Sequence, residues 1–321
     1  MRYIDASGAG QPVAAIPDWN IRRAHILANM QQVMGPFPER EKPDFDIEIV
    51  AEVDFPTYTR REIRFTVEPG DRLPAYLMIP KGLTGKTAGI LALHQTYTGG
   101  KEEPAGVSGM HNRHYGHELA ERGYVVIAPD YPGYGDYKID AYAMGYASAT
   151  MKGIWNHMRC VDLLQSLPEV DPARIGAIGH SLGGHNTLYV GAFDPRIQVM
   201  VTSCGFNRFA KYYGGNLKGW SHQGYMPRIL SEYDADPAKM PFDFTEILGV
   251  LAPRAVFINA PLHDENFEVS GVEDCVTAAT PVYELFSAAH KLHVAYPEAE
   301  HDFPPAQRSA AYAVIAETIG E

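Results

Sequence analysis

Arg174-Ile175-Gly176-Ala177-Ile178-Gly179-His180-Ser181-Leu182-Gly183-Gly184 is the stretch on which the fold turns. A short apolar run, 174–178, reads as a buried strand, and an apolar helix is expected over 182–192. Between them stands G-x-S-x-G. Glycines two residues either side of a serine let a strand turn sharply into a helix, because side chains there would strike neighbouring elements. The turn lifts the serine hydroxyl clear of the sheet and sets it at a helix N-terminus. Free N–H groups and the helix dipole can stabilise negative charge there. Ser181 is therefore the candidate nucleophile, with the Leu182 N–H as one oxyanion donor.

Outward from the elbow, strands and helices alternate. Strands are expected at 89–93, 124–128, 174–178, 197–201, 255–259 and 292–296. Helices are expected at 111–122, 146–167, 182–192, 273–290 and 306–319. Short apolar strands alternating with helices mean an α/β fold with a mostly parallel sheet and helices on both faces. Before Lys81 the period differs. A polar arm (1 to about 17) precedes a helix from Asp18, read as N-cap, to Gly35-Pro36. Alternating residues over 44–80 then predict antiparallel strands turning at Glu68-Pro69-Gly70-Asp71. The expected organisation is an arm, helix and leading strands over 1–72, and an α/β domain over 73–321. Residues 205–250 exceed an ordinary crossover and carry Phe206, Phe209, Tyr212, Tyr213, Trp220, Tyr225 and Phe242; they read as a cap insertion over the site.

An elbow of this kind takes its partners in chain order, acid then histidine. The loop leaving the strand 255–259 reads Ala260-Pro261-Leu262-His263-Asp264-Glu265, so Asp264 is the expected acid, with Glu265 its rival. His301, on the loop after the last strand, is the expected base: it would take the Ser181 proton while the acid fixes its tautomer. A second oxyanion donor belongs on the loop after 89–93, where Thr96 is favoured and Gln95 is the alternative. His94, His180, Tyr131, Tyr134, Phe206 and Trp220 are expected around the substrate. His111, His114 and His117 share a predicted helix, but steps of three spread them around it without a matching carboxylate or cysteine, so no metal site is read there.

Composition narrows the classes. The 321 residues are 45% hydrophobic and 21% charged, enough for one large domain with decoration. A formal net charge of -12 repels phosphate backbones and anionic membranes, so neither nucleic acid nor a membrane is an expected partner. Cys160, Cys204 and Cys275 are widely spaced, which implies no disulfide framework and no zinc motif. Cys204 reads as a small buried hydrophobe. The N-terminus shows no basic region followed by an apolar one, so a cytoplasmic protein is expected; a trimmed secreted chain would read the same way. No cofactor is implied. Oligomeric state is not legible, and a homo-oligomer is compatible with the chain.

Four segments together carry a resemblance. His94-Gln95-Thr96 with Gly100-Lys101-Glu102-Glu103-Pro104, Glu118 to Tyr124, Ala128-Pro129-Asp130-Tyr131-Pro132, and Gly179 to Gly184 resemble the dienelactone-hydrolase-like and acetyl xylan esterase-like branch of the α/β-hydrolases. The likeness runs from about residue 73 to the end, and residues 18–72 resemble the leader of bacterial members. It implies the α/β-hydrolase fold and a serine esterase acting on small esters, acetylated sugars among them. Ser181, Asp264 and His301 would be nucleophile, acid and base. Serine stands where true dienelactone hydrolases carry cysteine, and His94-Gln95 replaces the more usual His-Gly. Two other functions compete. One is a serine peptidase of the prolyl-oligopeptidase type, whose N-terminal propeller is missing here. The other is a non-catalytic binding protein on the same scaffold, which would have no use for serine, acid and histidine together.

Overall fold

A computed structural model describes residues 1–320. A small hairpin, β1 (Arg2–Ile4) and β2 (Gly10–Pro12), leads into helix α1 (Ile16–Met34). The next strands are β3 (Glu48–Asp54), β4 (Tyr58–Glu68), β5 (Asp71–Pro80) and β6 (Thr87–Leu93). Helix α2 (Tyr115–Glu121), β7 (Val125–Pro129), α3 (Ala149–Ser166), β8 (Val170–His180), α4 (Leu182–Phe193) and β9 (Ile197–Ser203) follow. The chain ends with α5 (Arg228–Ser231), α6 (Phe244–Leu251), β10 (Ala255–Asn259), α7 (Val269–Leu285), β11 (Leu292–Ala295) and α8 (Pro305–Ile319).

Nine strands form one sheet in the order β11-β10-β9-β8-β6-β7-β5-β4-β3. From β7 to β11 neighbours run parallel, whereas β3, β4 and β5 add an antiparallel wing. This is the α/β-hydrolase fold. The boundary expected at residue 72 falls inside β5, and the leading strands continue the same sheet.

Alternation along the strands builds two cores. Leu91 and Leu93 of β6, Val125 and Ile127 of β7, and Ile175 and Ala177 of β8 face the larger core with α1, α3, α4, α6 and α7. Ile90, Ala92, Val126, Ala128 and Ile178 point the other way, onto α2 and α8. Period two sends successive side chains to opposite faces, so both faces need helical cover. Helix α4 is buried along Leu182–Ala192, as an all-round apolar helix must be.

Three local expectations need correction. Asp18 is the third helical residue of α1, not its N-cap; its carboxylate accepts from Ala14 and Ala15 N–H, because an acid at that position reaches back to the free N–H groups before it. The helix expected over 111–122 is a 3₁₀ turn at His111–Arg113 followed by α2, so His111, His114 and His117 do not share a helix. The region 205–250 divides: residues 205–243 form 3₁₀ turns and α5, whereas α6 is a regular helix packed on α1, α4 and α7, and the aromatics of both parts join the larger core. No helix among the described residues is long and apolar enough to cross a membrane.

Candidate active site

The chain passes from β6 to β7 on one side and back to β8 on the other, so strand order reverses around β6. A crevice opens above the carboxyl ends of strands at such a reversal. Ser181 sits there, at the end of β8, with φ 53° and ψ −117°. A left-handed φ at a serine is strained and persists only where the surroundings hold it. Two glycines permit the turn. A Cβ on Gly179 would lie 2.2 Å from the Gly183 carbonyl oxygen, and one on Gly183 would lie 2.0 Å from that of Leu93. The Ser181 N–H donates to the Ser203 carbonyl at 2.8 Å, pinning the elbow to β9.

Asp264 and His301 come together from separate loops. The imidazole Nδ1 lies 3.0 Å from both carboxylate oxygens of Asp264. A carboxylate only accepts, so Nδ1–H donates and Nε2 is left free as a base. Asp264 is buried and also accepts the N–H groups of Asn266 and Phe267. Glu265 is exposed on the outer rim. The His301 ring sits 4.8 Å from that of His180, the residue before the serine. Phe267, which lines the cavity at Ser181, packs 6.0 Å from the same imidazole. Among the described residues no hydrogen bond yet joins the Ser181 hydroxyl to His301; such bonds often close only when substrate binds.

Arg113 and Asn259, which the sequence does not single out, hold the histidine loop. Arg113 Nη2 donates to the His301 carbonyl at 2.7 Å, and its Nη1 pairs with Asp302 at 3.1 Å. Asn259 Nδ2 donates to the Asp302 carbonyl. These partners lie far away in the chain, so no local pattern reveals them.

The strand-exit loop lies flush on the first turn of α4, as the Gly183 contact with Leu93 requires. His94 shapes this loop instead of lining the cavity. The Tyr131 N–H donates to its Nε2 at 2.9 Å and its Nδ1–H donates to the Gln95 carbonyl. The Gln95 side chain donates to Glu103, which fixes the loop from below. Thr96 reaches the cavity, its hydroxyl 3.3 Å from that of Tyr225.

That cavity, of about 60 Å³, is lined by Thr96, Ser181, His185, Tyr212, Trp220, Tyr225, Asn266 and Phe267, with Gly219. Trp220 is there, as expected. Phe206 is buried behind it against Phe244. His180 and Tyr131 are buried as well, and Tyr131 packs with Leu182 and Tyr134. A wider, open groove of about 490 Å³ lies on the far side of His301, bounded by Tyr213, His263, Glu265, Asn266 and Glu300.

Burial keeps the surrounding histidines neutral. It pushes the pKa of His94 down to about 4 and those of His157 and His185 to about 3. A histidine whose folded pKa is depressed supports stability above its unfolded value of 6.5. That support fades as pH falls, because the unfolded chain takes up protons the folded one refuses. Between pH 6.5 and 5 each forfeits about 2 kcal/mol at 1.36 kcal/mol per pH unit. Asp243 opposes this: burial raises its carboxyl to about 6, so it favours folding in acid. Burial raises the carboxyls of Glu103 and Asp130 in the same sense, but it holds His180 down as well; the histidines prevail, and unfolding free energy measured in urea should be lower at pH 5 than at pH 7. Equal or greater stability at pH 5 would contradict the neutral-histidine account.

Comparison with known proteins yields relatives described as esterases and hydrolases, and one described as a dipeptidyl-peptidase. A family model described as "Glucuronyl esterase, fungi" matches residues 137–287. The protein YtaP of Bacillus subtilis (strain 168) is 28% identical over 231 residues, 68% of this chain and 74% of its own length. The 4-O-methyl-glucuronoyl methylesterase 1 of Sodiomyces alcalophilus is 24% identical over 46% of this chain, a match that spans only 33% of that protein. A glucuronoyl esterase from Solibacter usitatus superposes with a TM-score of 0.76 at 19% identity, covering 98% of this chain and 95% of that one. Acetyl xylan esterase 1 from Thermoanaerobacterium sp. superposes at 0.61 with 18% identity, over 91% and 98%.

Proposed function

We propose that this chain, which has the α/β-hydrolase fold, is a serine carboxylic-ester hydrolase that works through an acyl-enzyme on esters with a short acyl group. The carrying observation is the small cavity of about 60 Å³ at Ser181, beside the His301–Asp264 pair. In this reading Nε2 of His301 takes the Ser181 proton as the hydroxyl oxygen attacks the ester carbonyl. The new oxyanion accepts from the N–H groups of Leu182 and Thr96, with Gln95 N–H the alternative second donor. The tetrahedral species collapses, the C–O bond to the alcohol breaks, and the alcohol leaves with the proton from His301. Water then repeats the sequence and frees the acid.

Size argues for a short acyl group. The cavity, about 60 Å³, is far below the 300–1,000 Å³ or so of a drug-sized pocket. Such a volume favours an acetyl group, and a butyryl chain would have to displace the lining Trp220 or Tyr225. One surplus methylene costs about tenfold or more in such a pocket. With one alcohol held constant, kcat/KM should therefore fall steeply from acetyl to butyryl esters. Trp220→Leu should compress that ratio, which is insensitive to any general loss of folded protein. Equal turnover of acetyl and butyryl esters by the unaltered chain would overturn the size argument.

A second reading follows from the family match over 137–287. A uronoyl ester would place its sugar in the 490 Å³ groove beside His301 instead of the smaller cavity. A panel of acetyl, butyryl, aryl and uronoyl esters, with aminoacyl-prolyl amides as the peptidase control, separates these readings. Labelling by a fluorophosphonate, lost in Ser181→Ala, tests the nucleophile itself. An unlabelled native chain would leave only a binding role.

A further inference from the structure

Around the catalytic imidazole lies a group of three side chains of which the proposed hydrolysis uses only His301. One donor atom from each of His180, Cys204 and His301 lies within 4.8 Å of the others. They stand 24 and 97 residues apart in the chain, so no ligand spacing reveals them. His180 is fully buried; its Nδ1 meets the Ser203 hydroxyl at 2.9 Å, while its Nε2 is buried without any hydrogen-bond partner. A buried nitrogen left unpaired is costly and calls for an explanation. Cys204 is buried too, held at φ 47°, a left-handed backbone that a cysteine rarely adopts and that persists only where the surroundings impose it. Its thiol has only weak contacts, the nearest being the Asp302 carbonyl at 3.3 Å.

We propose that His180, Cys204 and His301 form a site for a soft divalent cation, Zn²⁺ or Cd²⁺, whose occupation switches the esterase off. Two imidazoles and a thiol are the donor set that selects such ions, with the fourth position open to water. Tetrahedral coordination at about 2.0–2.3 Å brings donors to roughly 3.5 Å apart, so closure of about 1 Å is needed. His301 can supply it, because its side chain is 27% exposed and the other two are packed. As the metal–sulfur bond forms, the Cys204 proton leaves to solvent and the ion sheds waters; nothing is oxidised or reduced. Either nitrogen of His301 gives the same outcome. A metal on Nε2 blocks proton transfer from Ser181, and a metal on Nδ1 displaces Asp264. The route in is the open groove at His301, where Glu265 and Glu300 on the rim raise the local cation concentration.

The switching half of this inference rests on His301 being the base, so binding and inhibition are read separately. Cd²⁺ titrated into the intact protein should give one equivalent of the ultraviolet thiolate-to-cadmium absorption. Cys204→Ser should abolish that band, although Cys160 and Cys275 remain, and should retain ester turnover. Zn²⁺ should inhibit the unaltered chain at least tenfold more tightly than Cys204→Ser. Metal-loaded native protein should also resist fluorophosphonate labelling, and a chelator should restore it; that arm needs no variant. A cadmium band that survives in Cys204→Ser, equal inhibition of both forms, or full labelling of the metal-loaded protein each overturns the proposal. Failure of the metal-free native protein to label would instead overturn the esterase reading and leave the cadmium result to judge the site.

Discussion

Asp264→Asn is expected to lower kcat for a short acyl ester by about 10⁴-fold while leaving KM within a few-fold. Two carboxylate oxygens 3.0 Å from His301 Nδ1 hold the imidazole in the tautomer that leaves Nε2 bare. An amide can offer its NH₂ to Nδ1 instead, which puts the proton on Nε2 and removes the base. In the proposed mechanism the carboxylate would also stabilise the imidazolium formed as Ser181 attacks, and the amide could not. Asp264 is buried and its oxygens accept two backbone N–H groups as well, so asparagine keeps the loop's shape and the loss is electronic. Ser181→Ala sets the floor, with a fall of about 10⁶-fold to the residue left by the oxyanion donors and binding. Glu265→Gln, on the exposed rim, should change kcat less than threefold. Steady-state kinetics on the three variants decide the matter. If Glu265→Gln shows the larger loss, the acid has been misassigned; if Asp264→Asn is as active as the native chain, no triad operates here.

How far the sequence carries this site depends on how local each determinant is. The elbow is legible because its constraint is steric and confined to five residues: Gly179 and Gly183 are glycine for contacts that any Cβ would violate. His301 and Asp264 are legible because strand rhythm places them on successive sheet-edge loops, a property of the whole α/β alternation. The N-cap of α1 slipped because Asp18 can serve a helix start either as cap or as third residue, and both satisfy the same free N–H groups. The cavity walls were half visible. Trp220 and Tyr225 announce themselves as aromatics in a long crossover, but nothing in a linear string says that Phe206 turns into the core and Phe267 onto His301. Arg113 and Asn259 were invisible for the same reason. A hydrogen bond between residues 188 apart leaves no periodic trace.

Long-range polarity of that kind also governs stability, and Lys152 is its sharpest case. The side chain of this α3 lysine is fully buried, with its ammonium 2.5 Å from both Glu68 and Asp71 across the turn that joins β4 to β5. The Tyr146 hydroxyl donates to Glu68 and the Tyr137 hydroxyl to Asp71, while Asn156 donates to the Tyr137 oxygen. Arg40 reaches Glu68 at 3.4 Å from the other side. Two carboxylates excluded from water are tolerable only while a cation sits between them. Lys152→Met fills the same space with apolar atoms but strips that cation, and removing one partner of a buried pair costs about 3–5 kcal/mol. The expected result is a lower denaturant midpoint at pH 7 with an unchanged slope. Adding Glu68→Gln and Asp71→Asn to Lys152→Met should recover part of the loss, since an uncharged cluster leaves no carboxylate unpaired. A single Lys152→Met change costing less than about 1 kcal/mol, within the range of a surface pair, would mean that water reaches the cluster and that the wing of β3, β4 and β5 is held to α3 by apolar packing and by hydrogen bonds such as that from Trp155 to the Val67 carbonyl.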